Sequence, residues 1–503
     1  MGRKGRYGKA KKKKSQMEEQ NQISNSTAES PKGDTSQADK GQPLSVEKVV
    51  PKGWEKRREV LPAITMEEIA RQENLEQAFR KVRANRGAPG CDGKTVEEVE
   101  QALGEILPKI TKELLNGRYE PDAIRRVWID KSGGGQRGLG IPGVVDRVVQ
   151  QAVLMVMSPH YEPHFHPSSH GFRAGKSCHT AIAEAKRHVE EGHDWVVDTD
   201  LEKFFDQVNH QRLLSKLQTR ISDKRVVQLI SRMLKASVVM PDGVVVNTQD
   251  GVPQGGPLSC LLSNIVLDEL DWELHARGHR FVRYADDQNI YVRSERAGQR
   301  VMESVRQFIE KRLRLRINAT KSAVAKTEER HFLGFRLERN PLDGEVSVRL
   351  SKRSKTRVDN QTREKTPRNW GNSLEQCIGN LNEYLIGWIG FFKICSEKER
   401  SVLESIDAHI RRRLRALILK QCKRKRFIVR RLIHLGVSPK TAWNSVYRRK
   451  QSLWALSHIP AVERGLRNAF FAERGLVSLA ASWDRLNPKT VVVVPVQLSL
   501  DLG

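Results

Sequence analysis

Cysteine is scarce in this chain and badly spaced for cross-linking or metal capture. The six residues Cys91, Cys178, Cys260, Cys377, Cys395 and Cys422 include no C-x-x-C pair. That excludes a zinc ribbon or paired-cysteine finger, and scattered thiols fit a reducing cytosol, where they pack as small hydrophobes. Long apolar runs are also missing, and none reaches the roughly 20 residues that a transmembrane helix needs. Met1–Ser15 is basic with no apolar segment behind it, so no secretory signal is read there. Arg6 stands where a myristoylation signal would have Ser or Thr. Acidic residues are in deficit: 60 Asp and Glu against 88 Lys and Arg leave a formal charge of +28. Such an excess calls for a polyanionic partner, and with no membrane segment nucleic acid is the expected one.

What is present divides the 503 residues into several regions. Residues 1 to about 50 hold a Lys/Arg cluster, including Lys11–Lys14, and then a polar stretch poor in apolar positions, which predicts a disordered extension. Ile69, Leu75, Phe79 and Val82 open a helical pattern at Thr65, and Val96–Leu115 forms a second that stops at Asn116-Gly117. An extended piece (Ala123–Ile129), a glycine loop (Gly133–Gly135) and helices at Asp146–Met157 and Ser177–Glu191 follow. Trp195–Thr199 reads as an apolar strand ending in Asp200. Hairpins are predicted at Val238–Val246 and at Phe281–Val292, with Ala285, Asp286 and Asp287 near the second turn. Between them Leu258–Leu274 is helical, as is Ala297–Leu313 after them, and Phe332–Leu337 is another strand. Ser351–Arg368, polar and basic, reads as a linker or flexible loop, and beyond it the pattern is helical to Leu435.

Asp200 at a strand end and Asp286-Asp287 at a hairpin tip can meet if their strands lie side by side. Their repulsion would then call for divalent cations, and Mg²⁺ suits a site of few carboxylates completed by water and phosphate oxygens. Two such ions about 3.5–4 Å apart clamp the attacking and leaving oxygens of a phosphoryl transfer.

Tyr284-Ala285-Asp286-Asp287 resembles the signature tetrapeptide of reverse transcriptases. Asp198–Asp206 resembles the first catalytic motif of the group II intron branch, and Pro253-Gln254-Gly255-Gly256-Pro257-Leu258-Ser259 its template- and nucleotide-contacting loop. Asn85–Asp92, Lys131–Pro142 and Pro167–Arg173 resemble finger motifs of bacterial intron proteins. Asn318–Ser322 and Phe332–Phe335 resemble later palm motifs, and Asn382–Trp388 with Phe391-Phe392 the start of the maturase thumb. The order of the motifs matches as well as their content, over roughly residues 65 to 480.

The resemblance implies an α+β, right-hand polymerase: fingers and an antiparallel palm sheet (61–365), a helical thumb or maturase domain (366–435), and a small helical DNA-binding region with a tail (436–503), after a basic extension (1–60). It implies catalytic Asp200, Asp286 and Asp287, two Mg²⁺ ions, and a ligand carbonyl from Leu201. It further implies a sugar-sensing Phe205, phosphate-binding Lys131 and Arg137, a nucleotide contact from Gln254 and a proton-donating Lys321. Asp198 and Asp206 are read as structural or outer-shell. The basic run His409–Arg431, with Arg411, Arg412, Arg413, Arg415, Lys423 and Arg424, is expected to grip intron RNA. Trp443, Tyr447, Trp454, Phe470, Phe471 and Trp483 read mostly as core, although aromatics mixed with cations also stack on unpaired bases. Expected partners are group II intron RNA, target DNA with its primer-template, and dNTPs, in a bacterial cytoplasm at the nucleoid.

The Val491–Leu502 tail lacks the His/Asn nuclease pattern found in many relatives, so second-strand cutting is not expected. Primers would then come from elsewhere, such as a nascent strand at a replication fork. Two alternatives stand beside the intron-encoded enzyme: a free-standing relative in repair or defence, and a splicing factor with a vestigial polymerase site. Intact acids weigh against the second.

Overall fold

The computed structural model describes residues 60–488 apart from 62, 131–133, 370, 372 and 449–451. The basic extension, Lys131 and the Val491–Leu502 tail therefore lie outside the described residues.

The fingers begin with helices Met66–Ala70 and Gln72–Ala84, then Val96–Gln101 and Leu103–Leu115. Each sequence run is two helices rather than one. The breaks fall at Arg71, whose extended backbone interrupts the ladder, and at Ala102. Thr95 and Glu98 form a capping box, each side chain accepting from the other's backbone N–H.

Among the described residues ten strands follow: β1 (Ile124–Asp130), β2 (Gln136–Ile141), β3 (Trp195–Thr199), β4 (Val238–Val239), β5 (Val245–Val246), β6 (Arg280–Tyr284), β7 (Asp287–Val292), β8 (Ala323–Lys326), β9 (Phe335–Arg339) and β10 (Val346–Leu350). They form a fingers sheet ordered β2-β1-β4-β5, a palm sheet ordered β6-β7-β3-β8, and a β9–β10 pair. Every pairing in the palm sheet is antiparallel.

Both faces of the palm sheet are covered. Val197, Phe281, Ile290 and Val292 join the core shared with the fingers helices. Val196, Val282 and Tyr291, one residue out of step, join the core shared with the thumb. The period of two thus sends alternate residues into two different cores, which is why Trp195–Val197 and Ile290–Val292 read as continuous apolar runs.

Ser351–Arg368 differs from its expectation as a linker: Lys352–Lys365 is a helix capped by Ser351. Its buried stripe is Ser354, Val358, Thr362 and Thr366, spaced four apart, with one aliphatic side chain among three hydroxyls. Ser354 Oγ donates to the Gly334 carbonyl at 2.7 Å and Thr366 Oγ1 to the Thr362 carbonyl at 2.5 Å. A helix that buries hydroxyls in this way has no apolar periodicity to find.

The thumb helices Leu374–Phe392 and Arg400–Gln421 carry the second core onward to Val437, Val446 and Trp483, so packing is continuous across residue 435. Buried Asp407 reinforces this by accepting from Leu479 N, Ala480 N and Ser478 Oγ at the start of helix Leu479–Leu486. No helix among the described residues is long and apolar enough to cross a membrane.

Candidate functional site

Register brings the acids together. β3 and β7 pair in antiparallel fashion with Thr199 opposite Gln288, so the next step puts Asp200 opposite Asp287. β6 and β7 close with Tyr284 opposite Asp287, leaving Ala285 and Asp286 as a two-residue turn. Such turns need positive φ, and Ala285 has φ 57° without being glycine, a conformation that costs of order 1–3 kcal/mol. Next to Asp200, Lys203 is also left-handed, at φ 44°. The Asp200 backbone is fixed at both ends: its carbonyl accepts from Asn318 N at 2.8 Å, and its N–H donates to Ser322 Oγ at 2.9 Å.

Carboxylates crowd the site, with cations beside some of them. Burial raises the Asp286 carboxyl; Asp200 adds to that rise and Arg137 opposes it. Asp287 reaches solvent, yet the protein around it and then Asp286, Asp198 and Asp200 push it up to about 7. Burial also raises Asp198, but Arg330 offsets part of this, with Nε 2.9 Å from Oδ2. Lys321 Nζ lies 3.6 Å from Asp200 Oδ1. Hard oxygen donors whose carboxyls are raised by burial and by one another suit a divalent ion such as Mg²⁺. Among the described residues no three His, Cys, Asp or Glu side chains already converge on one point.

The other predicted residues fall around these acids. Arg137 is exposed on β2, opposite Ile129, and close enough to bias both Asp286 and Asp287. Gly134 and Gly135, read as part of a glycine loop, lie just before β2. Gln254 accepts through its carbonyl from Gly140 N at 2.7 Å, which docks its loop on β2. Gly255 adopts φ +126°, and an added Cβ would sit 2.4 Å from the Gly140 oxygen, so no other residue fits without a shift. Phe205 is half-buried, edge-on to Phe204 at 5.1 Å, and its carbonyl accepts from Val252 N at 2.6 Å. Leu201 is buried and bridges Ile317.

Sequence reasoning missed what supports the turn. Arg283 is 1% exposed; its Nε donates to Asp271 Oδ1 at 2.8 Å, its guanidinium to Asn264 Oδ1 at 3.0 Å and Ser169 Oγ at 2.8 Å, and its Nη1 to the Ala285 carbonyl at 2.8 Å. The strained residue is thus held by a buried, fully engaged cation. Gly171 lies so close that a Cβ would come 2.2 Å from Ala285 N. The Pro167–Arg173 segment, expected among the finger motifs, packs against this turn through Ser169 and Gly171. His170 is buried between Thr180 Oγ1 at 2.9 Å and Glu184 Oε2 at 2.8 Å. Burial works to raise Glu184, but hydrogen bonds from His170 and Ser168, with His188 3.7 Å away, outweigh it and hold the carboxyl well below the usual range. The available signal was a pair of opposite charges, Arg283 and Asp271, each inside an element otherwise read as apolar.

The six cations expected to grip RNA are not alike. Arg415 is buried, donating Nε to the Leu466 carbonyl at 3.0 Å with Glu463 at 3.4 Å, and it lines an open groove together with Arg411 and Arg412. Arg413 donates to Thr366 Oγ1 at 2.6 Å and the Thr366 carbonyl at 3.1 Å, tying the thumb to helix Lys352–Lys365. Arg412 lies 4.2 Å from the Trp454 ring centroid. Half-buried Arg411 lines an open groove of about 800 Å³ with Arg467 and His458, while Lys423 and Arg424 are exposed. Three of the six expected contacts are thus engaged within the protein, because a helix buried on this many sides turns its long cationic stems inward.

Residues 129–337 match the family described as reverse transcriptase (RNA-dependent DNA polymerase), and residues 355–434 match the group II intron, maturase-specific domain. Protein YkfC of Escherichia coli (strain K12) is 36% identical over 312 residues, covering 54% of this chain and 82% of that protein. The group II intron-encoded protein LtrA of Lactococcus lactis subsp. cremoris is 37% identical over 195 residues, covering 39% of this chain and 32% of its own length. Among solved structures, a partial Cas6-RT-Cas1--Cas2 complex gives a TM-score of 0.33 at 24% identity, over 49% of this chain and 42% of that one.

Proposed function

The chain belongs to the group II intron reverse transcriptase and maturase family, and from that premise we propose that it is an RNA-directed DNA polymerase that binds an intron RNA, assists its splicing and copies it into DNA during retrohoming. Residues 61–365 act as fingers and palm, 366–435 as thumb, and 436–503 as the region that engages target DNA.

Asp200, Asp286 and Asp287, with the Leu201 carbonyl, would hold two Mg²⁺ ions. When bound, those ions supply a more acidic primer 3′-hydroxyl and neutralise the leaving pyrophosphate. The chain's own residues do the positioning. Arg137 approaches from the β2 side to meet the triphosphate, and Lys131, outside the described residues, would add a second cation. Gln254, held by its docked loop, lines the base and sugar pocket, and Phe205 fills the space that a 2′-hydroxyl would need. In the displacement the 3′-oxygen, its proton passing to solvent water, bonds to the α-phosphorus as the bond to the bridging oxygen breaks. Lys321, beside Asp200, gives the departing pyrophosphate its proton.

The observation that carries this reading is the β3–β7 register, which sets Asp200 opposite Asp287 at the end of a strained turn. Asp286→Asn should lower primer extension on an RNA template by about a thousandfold or more while RNA affinity stays within about twofold. Extension at the native rate in that variant would overturn the carboxylate assignment.

A further inference from the structure

Five aromatic side chains are largely exposed among the described residues: Trp128, Phe172, Phe427, Trp443 and Tyr447. Three of them sit on two neighbouring helices, Lys425–His434 and Pro439–Tyr447. Trp443 and Tyr447, one turn apart, stack with ring centroids at 5.0 Å and planes at 22°, and are 48% and 46% exposed. The helix does not need them for its core contact, which Ala442 and Val446 make one position round the axis. Together with Asn444 and Arg448 the two rings line an open groove of about 530 Å³. Lys425 Nζ lies 5.3 Å from the Tyr447 centroid, and Arg426 and Arg430 flank Phe427 at 5.0 and 5.8 Å.

The charge around these rings is entirely of one sign along the chain. Residues 423–448 carry eight Lys and Arg and not one Asp or Glu. An apolar protein partner would find those cations uncompensated. A duplex would offer phosphates but keep its base faces hidden in the stack. Only a single strand presents phosphates and open π-faces together, and flat aromatic rings beside cations are the side chains that take up both.

We propose that Trp443 and Tyr447, with Lys425 and Arg448, form a stacking platform for the unpaired bases of a single-stranded nucleic acid. This rests on the nucleic-acid reading above and adds to it a mode of contact and a strand state. The bases stack on the exposed ring faces without regard to sequence, and the cations track the sugar-phosphate backbone. Either a displaced DNA strand or an RNA loop has this chemistry.

The test uses the full chain and labelled oligomers of about 12 nucleotides: oligothymidine, oligouridine, an abasic strand of equal charge, and a duplex. A Trp443→Ala/Tyr447→Ala double variant should bind the oligothymidine or the oligouridine about tenfold more weakly, with little change on the abasic strand. Trp443→Phe should retain most of the affinity, and the tighter of the two base-bearing arms names the strand. Because both side chains are exposed, a thermal melt close to wild type shows that the double variant is folded. Equal binding by variant and wild type would overturn the platform, as would an equal loss on the abasic strand or on duplex. So would an aromatic patch that holds two copies of the chain together, seen as a mass that halves in the double variant. Primer extension by the wild type is read separately: its absence would count against the polymerase and leave the platform standing.

Discussion

At the Ala285–Asp286 turn one buried cation, Arg283, is surrounded by acceptors, and carboxylates crowd nearby. Along Arg400–Gln421 the reverse holds: several cations are present, and Arg412, Arg413 and Arg415 are occupied with carbonyls, a hydroxyl, a carboxylate and an indole. The same kind of side chain therefore serves different ends. In the palm a hidden arginine sets the geometry from which acids gain their chemistry. In the thumb, arginines that look like a ligand surface are part of the packing. Polarity written along a helix does not say which way a long side chain turns, because its stem is apolar and its tip finds partners in either direction.

Four changes would break or sharpen that comparison. The largest effect is expected at Arg283. Arg283→Ala leaves Asp271 as an uncompensated buried charge and should cost about 3–5 kcal/mol in urea unfolding, with primer extension falling as Ala285 loses its restraint. A loss under about 1 kcal/mol would show that the turn holds itself.

Arg415→Ala comes next. Two hydrogen bonds to a buried guanidinium are removed, for about 2–3 kcal/mol of stability, and the salt dependence of RNA affinity should keep its slope. A slope that flattens by about one unit would return Arg415 to the RNA surface.

Asp146 tests the same logic through pH. Buried at the start of helix Val144–Tyr161, it accepts from Tyr119 Oη at 2.7 Å and Asp122 N at 3.2 Å. Burial, only partly offset by the Tyr119 hydrogen bond, pushes its carboxyl up to about 7. The folded state therefore keeps a proton that the unfolded chain releases near pH 4. Rising pH from about 4 through about 7 should lower stability by a few kcal/mol at most. Asp146→Asn should flatten that stretch of the profile, and an unchanged slope in unfolding midpoints would place the titrating group elsewhere.

Phe205 has the smallest expected effect. Phe205→Ala should raise ribonucleotide incorporation about tenfold or more relative to deoxyribonucleotide. Unaltered sugar selectivity, read by competition between the two triphosphates, would leave Phe205 as a packing partner of Phe204.

The catalytic candidates were legible because they are local. A strand ending in Asp200 and a hairpin ending in Asp286-Asp287 carry their own apolar flanks, and their order along the chain limits how they can pair. Helix Lys352–Lys365 was not legible, since its buried stripe of Ser354, Thr362 and Thr366 is hydroxylic. Nor was the Arg283 clamp, whose partners come from Ser169, Asn264 and Asp271, as far as 114 residues away. The split at Arg71 had no Gly or Pro to mark it, and Gly104, near the split at Ala102, lies inside the following helix rather than at the break.

By itself the sequence determined the class of partner, through its charge, and the motif-bearing strands, through alternation and turn residues. Those are properties of neighbours along the chain, and period and propensity report them. Which arginines face inward, what holds a left-handed alanine in place, and which aromatics stay uncovered were decided only when distant segments packed. Burial and hydrogen-bond satisfaction belong to the whole fold, and the same residue is a ligand contact or a brace according to what lies beside it.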